Sequence, residues 1–133
     1  MKTNSIRYYS TNRHLDGVPG IRPFKGTVSF REALLQGQAP DEGLYMPETI
    51  PSLPADVVPV LKGRPYAEAA LLVARAFLEA EIGDGDLRRI VEDSYNYPVP
   101  LEKVEEGLFI LRLDRGPTAS FKDFAARLLA RLM

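Results

Sequence analysis

The sequence predicts an α/β protein, with short strands and helices over about residues 1–95 and a second region opening at about residue 96. Three observations carry this reading. From Pro65, the residues Ala67, Ala70, Leu71, Ala74, Phe77 and Leu78 recur at helical spacing. After Asn96 the pattern turns strand-like, with Val99–Val104 and Leu108–Leu113 flanking Glu105-Glu106-Gly107 as in a hairpin. Upstream, Ser29 precedes Glu32 by three positions, the spacing at which a helix start satisfies its own backbone N–H groups.

Taken in order, Arg7–Ser10 is short and aromatic and suits an N-terminal strand. The run from Val28 to Gly37 reads as a short helix capped at Ser29, with Ala33, Leu34 and Leu35 inside and Gly37 past its end. Ala39-Pro40-Asp41-Glu42-Gly43 is turn chemistry, and Leu44-Tyr45-Met46 before Pro47 reads as an extended piece. Pro47, Pro51, Pro54 and Pro59 keep any helix in the next stretch short. A longer helix then runs from Pro65 to about Glu81. Another begins at Asp84-Gly85-Asp86 and ends near Tyr95. After the hairpin, Gly116 to Ser120 is a turn, and Phe121–Met133 is an apolar helical segment. No Gly, Asn or Pro ends that last pattern, so Met133 reads as a cut and not as a natural terminus.

Composition removes several classes of function. The 133 residues carry a net charge of −1, so no global field gathers nucleic acid or an anionic membrane. No cysteine is present, which excludes disulfides and thiolate chemistry from these residues. No apolar run reaches the length of a membrane span or a signal peptide, and a cytoplasmic location follows by default. The single histidine, His14, lies among Gly and Pro residues and reads as a solvated loop residue, not a metal ligand or a triad base. Asp84-Gly85-Asp86 starts like a calcium loop, but no ligand series follows, and a helix cap is favoured. Glu102, Glu105 and Glu106 read as a solvated hairpin tip and not as a catalytic carboxylate pair. No metal site and no Walker or Rossmann glycine pattern is expected.

The stretch richest in chemistry is Gly116-Pro117-Thr118-Ala119-Ser120-Phe121-Lys122-Asp123-Phe124. Gly-Pro turns the chain after a strand, and Thr118 or Ser120 is placed to cap the helix that follows. With Ser120 as cap, Lys122 falls in the first helical turn, at the positive end of the helix dipole. A cation is unfavourable there, Asp123 offsets part of the cost, and the arrangement favours the neutral amine that Schiff-base chemistry uses. Position alone does not separate this lysine from an ordinary solvated one.

Longer motifs do. Tyr8-Tyr9-Ser10-Thr11 resembles the YYST opening of threonine synthases, a family of the tryptophan-synthase-β-like group of pyridoxal-phosphate enzymes. Val28-Ser29-Phe30-Arg31-Glu32-Ala33-Leu34-Leu35-Gln36-Gly37 resembles that family's V-S-F-x-E-A-L-L-x-G segment. Ala39-Pro40-Asp41-Glu42-Gly43-Leu44-Tyr45-Met46-Pro47 resembles A-P-D-G-G-L-Y-x-P. Gly116-Pro117-Thr118 and Phe121-Lys122-Asp123-Phe124 resemble G-P-T-x-x-F-K-D-F. Four such segments, in order over about a hundred residues, are far more specific than any one of them.

The resemblance implies a threonine synthase N-terminal domain over residues 1–95 and, over 96–133, the beginning of a fold-type II pyridoxal-phosphate domain. It implies that Lys122 is both the catalytic lysine and the residue that holds pyridoxal 5'-phosphate. The implied reaction converts O-phosphohomoserine and water to threonine and phosphate. The family's Gly-rich cofactor-phosphate loop and most substrate ligands lie in chain beyond the matched region, so these residues alone are expected to be inactive. The sequence departs from the family at Arg112-Leu113-Asp114-Arg115, where E-L-F-H is usual, at Glu42, where glycine is common, and at Ser120, where alanine is common. The rival class is a truncated, non-catalytic homologue that serves as a folding or interaction module. Another amino-acid lyase of the same group is a further rival, against which the N-terminal motifs speak. Leu128, Leu129, Leu132 and Met133 are expected to leave an apolar patch on the last helix that invites self-association.

Overall fold

The computed structural model describes residues 5–133. Short strands and helices mix along the chain as the sequence predicts. The order is β1 (Tyr8–Ser10), β2 (Thr27–Val28), α1 (Phe30–Gln36), β3 (Tyr45–Pro47), α2 (Val57–Leu61), α3 (Tyr66–Leu78), α4 (Asp84–Ser94), β4 (Leu101–Glu105), β5 (Leu108–Leu111) and α5 (Lys122–Leu132). The chain divides into two compact units, one reaching to Leu53 and including Ala76–Gly83, the other formed by Pro54–Arg75 and Asp84–Met133. None of the described helices is long and apolar enough to cross a membrane.

In the first unit a three-stranded antiparallel sheet has the order β2-β1-β3. Tyr8 faces Val28 on one side and Pro47 on the other. Pro47 is tolerated because β3 is an edge strand, where a missing N–H breaks no second ladder. β2 is a strand that periodicity does not reveal, since two residues carry no pattern.

The helix read at Ser29 is present, and its capping box forms in full. The Ser29 hydroxyl accepts from the Glu32 N–H, and the Glu32 carboxylate accepts from the Ser29 N–H. A second carboxylate completes the cap. Glu81 accepts from the backbone N–H groups of Phe30 and Arg31 and from the Ser5 hydroxyl, so helix-start donors are satisfied by a residue fifty positions away.

The Ala39–Gly43 turn is built on Asp41. This carboxylate is buried and accepts from the Ser10 hydroxyl at 2.5 Å, the Phe24 N–H at 2.7 Å and the Gly43 N–H at 3.1 Å. Burial pushes its pKa up, but the hydrogen bonds from Ser10, Phe24 and Gly43 outweigh burial and hold it below the ordinary aspartate value. Position 43 admits only glycine, because a Cβ there would lie 2.0 Å from the Ser10 oxygen. Glu42 adopts a left-handed conformation at φ 63°, which explains why a glycine suits this position.

In the second unit, Leu71 of α3 and Leu87 and Val91 of α4 are fully buried. α2 is a single short turn, as the surrounding prolines dictate. β4 and β5 pair as an antiparallel hairpin whose apolar residues are about half exposed. The second strand of that hairpin leads into the segment that carries Lys122.

Candidate functional site

Four layers of local structure place Lys122. The first is the hairpin. Arg112, one residue past β5, forks onto Asp114 through two bonds of 2.7 and 2.6 Å and reaches Glu102 of β4 at 2.9 Å. The hydrogen bond from Arg112 holds the Asp114 carboxyl down at about 2. Arg115 stands 3.9 Å from the same Glu102. The Arg112-Leu113-Asp114-Arg115 departure is therefore charge-compensated within the hairpin, with Glu102 as the ion-pair partner of Arg112. Glu106 likewise pairs with Lys103.

The second layer is the turn. Ala119 N–H donates to the Gly116 carbonyl at 3.0 Å, and Ala119 itself sits at φ 54°. The third is Asp123, which is 5% exposed although it is charged and lies in the first turn of α5. Its carboxylate accepts from the Thr118 N–H at 2.9 Å and from the Thr118 hydroxyl at 2.8 Å. The turn closes so tightly on this carboxylate that a Cβ at Gly116 would lie 2.3 Å from Asp123 Oδ2. Glycine at 116 is therefore a requirement of packing.

The helix start differs in detail from expectation. Lys122 does fall in the first turn, but the residue at the cap position is Phe121, in helical conformation and without a side-chain cap bond. The Ser120 hydroxyl still accepts from the Lys122 N–H at 3.2 Å, whereas Thr118 serves Asp123 and caps nothing. Asp123 spends its lone pairs on the turn instead of on the neighbouring lysine.

The fourth layer is aromatic. Phe124 lies edge-to-face with Tyr66 at 5.4 Å and with Tyr97 at 5.5 Å, and tilted against Tyr95 at 6.0 Å. The Tyr95 hydroxyl donates to the Phe124 carbonyl at 3.0 Å. Burial, with Tyr66 and Tyr97 nearby, pushes the Tyr95 phenol up to about 12, so this donor keeps its proton. One turn on, Arg127 donates to the carbonyls of Ser94 and Asp93 at the end of α4, where a guanidinium satisfies both the open acceptors and the dipole. Arg131 adds an ion pair to Asp93.

Lys122 is the exception within this fixed segment. Its side chain is exposed and makes no hydrogen bond or ion pair among the described residues, while Asp123 and Phe124 beside it are both anchored. A primary amine held on a rigid helix start, free of a competing carboxylate, fits a group that attaches through a carbonyl carbon. Sequence reasoning missed Asp123 as a tether and the three tyrosines as a clamp. The pairing of Thr118 with an aspartate five residues later, and the Tyr95-Asn96-Tyr97 alternation, were the available signals.

The family model described as threonine synthase N terminus matches residues 7–95. A threonine synthase of Pseudomonas aeruginosa is 38% identical over 111 residues, covering 80% of this chain and 24% of its own. One from Haemophilus influenzae is 37% identical over 106 residues, with the same coverage of both chains. Among solved structures, a pyridoxal-phosphate-bound threonine synthase from Brucella melitensis superposes with a TM-score of 0.81 at 36% identity, covering 97% of this chain and 27% of that one. A yeast threonine synthase gives 0.77 at 30% identity, covering 98% and 26%. The chain thus spans about a quarter of the length of the relatives it matches.

Proposed function

This chain belongs to the threonine synthase family, and from that premise we propose that it forms the N-terminal part of an enzyme making threonine and phosphate from O-phosphohomoserine and water. In this reading residues 1–95 are the N-terminal domain and residues 96–133 open the cofactor domain. The observation that carries it is the free Lys122 amine, on a helix start held by Asp123 and Phe124, in the motif that resembles the family's cofactor lysine. The residues fit pyridoxal phosphate in their donor chemistry, since Lys122 offers an unpaired amine to an aldehyde. When bound, that cofactor supplies an electron sink for negative charge on substrate carbon.

Lys122 has two tasks here. Its amine would hold the cofactor covalently and, once the substrate has displaced it, would take and return protons at the substrate carbons. The fixed turn from Gly116 to Ser120 holds the backbone from which that side chain extends, which lowers the entropic cost of presenting the amine to the reacting atom. The Thr118 hydroxyl donates to Asp123 and is committed to that bond. Glycine-rich phosphate cradles are absent from these 133 residues, so the chain by itself should release no phosphate from O-phosphohomoserine.

The test is chemical. This chain, fused to the remainder of the Pseudomonas aeruginosa threonine synthase, is incubated with pyridoxal phosphate, reduced with borohydride, and digested for mapping of the adduct. The reading expects preferential labelling at Lys122, absent in Lys122→Ala. Labelling spread evenly over Lys25, Lys62 and Lys103 as well contradicts it and favours a homologue retained as a folding or interaction module.

A further inference from the structure

We propose that Asp123 is a positioning residue, whose two bonds to Thr118 fix the direction in which Lys122 leaves the first turn of α5. The inference rests on the Lys122 reading above and adds to it the means by which the lysine is aimed. Asp123 is the unusual member of the segment. A carboxylate at 5% exposure, in the first turn of a helix, has every reason to turn outward to water, yet it folds back onto Thr118 N and Oγ.

The consequence is geometric. The turn that begins at Gly116 has no regular ladder of its own, and Ala119 sits in the left-handed region, where an alanine is disfavoured. Something must hold it. The Asp123 carboxylate is within 2.3 Å of where a Gly116 Cβ would be, so the turn wraps the carboxylate along Gly116–Thr118. Without those bonds the backbone before Lys122 can relax, and the first helical turn, which has no side-chain cap at Phe121, can fray. Phe124 would still anchor the helix to Tyr66, Tyr95 and Tyr97. Loss of Asp123 therefore disorders the lysine's approach while leaving the helix docked.

The experiment is competitive labelling of the same fusion with pyridoxal phosphate and borohydride, read as the ratio of adduct at Lys122 to adduct at Lys62 over roughly pH 6 to 9. Lys62 is exposed and unpaired among the described residues, so it reports intrinsic amine reactivity, while far-ultraviolet circular dichroism reports global integrity. Asp123→Ala removes both acceptors. It should lower the Lys122 to Lys62 ratio about tenfold across the pH range, the scale of one hydrogen bond to a charged group. Thr118→Ser keeps both donors and should keep the wild-type ratio. If Asp123→Ala unfolds, its helical circular dichroism is lost, and Thr118→Val, which removes only the hydroxyl bond, carries the test with a smaller fall in the same ratio. A wild-type preference for Lys122 that survives in the variant carrying the test overturns this inference alone. A wild-type chain with no such preference overturns the Lys122 reading and this inference together.

Discussion

Phe124→Ala should cost about 3 kcal/mol of stability, assembled from an apolar part and an aromatic part. Truncating a core phenylalanine typically costs 3–5 kcal/mol, and Phe124 is only partly buried, so about 2 kcal/mol is assigned to lost apolar contact. The two edge-to-face pairs, with Tyr66 at 88° and with Tyr97 at 83°, add roughly 0.5 kcal/mol each at the low end of such contacts. The Tyr95 bond is to the backbone carbonyl of Phe124 and survives the change. Phe124→Leu keeps most of the apolar volume and loses the ring geometry, so it should cost about 1 to 1.5 kcal/mol. The chain has no tryptophan, and three of its six tyrosines, Tyr66, Tyr95 and Tyr97, surround Phe124, so tyrosine fluorescence during urea unfolding reports on this cluster together with the three tyrosines of the first unit. With an m-value of roughly 1.5 kcal/mol/M, the alanine variant should shift the midpoint by about 2 M and the leucine variant by about 1 M. A cost for Phe124→Ala below about 1 kcal/mol, the level of an ordinary surface change, would refute the claim that Phe124 anchors α5. Equal costs for alanine and leucine would refute the aromatic part alone.

Three further outcomes follow from particular contacts. Glu42→Gly should raise stability by about 0.5–1 kcal/mol, because the native φ of 63° is strained for glutamate and free for glycine; a lower Tm in the variant refutes it. Asp41 has a folded-state pKa below its unfolded value, so the stability it contributes is present above about pH 4 and is lost as pH falls through the folded pKa. Acid unfolding followed by circular dichroism should be shallower below about pH 4 in Asp41→Asn than in the parent, and parallel curves would contradict the hydrogen-bond account. The Tyr97 hydroxyl is buried with no hydrogen-bond partner among the described residues, while its ring packs on Phe124. Tyr97→Phe should therefore be neutral or stabilising by up to about 1 kcal/mol, and a urea midpoint that falls shows that the hydroxyl is satisfied.

What the sequence revealed and what it hid divide by range. The α1 cap was legible because Ser29 and Glu32 are three residues apart and the physics is local, whereas the contribution of Glu81 from fifty residues away was not. The strands flanking the Glu105–Gly107 turn were legible from apolar runs on either side of Glu105-Glu106-Gly107, although β4 begins at Leu101 and runs to Glu105. β2 was hidden, since two residues make no period. At the site, the motif led to Lys122 and to its place in a first helical turn, but not to the burial of Asp123. An aspartate beside a lysine reads as a solvated charge until Thr118 is seen to satisfy it. The apolar end of α5 is uneven, with Leu129 and Met133 exposed and Leu128 and Leu132 partly covered, which periodicity alone did not resolve.

The most direct test of the account is a chimera in which this chain replaces the matching N-terminal segment of the Pseudomonas aeruginosa threonine synthase, assayed for phosphate release and threonine formation from O-phosphohomoserine. The account predicts an active chimera whose turnover is abolished by Lys122→Ala. A chimera that folds, carries pyridoxal phosphate and makes no threonine, or one whose activity is unaffected by Lys122→Ala, would contradict it.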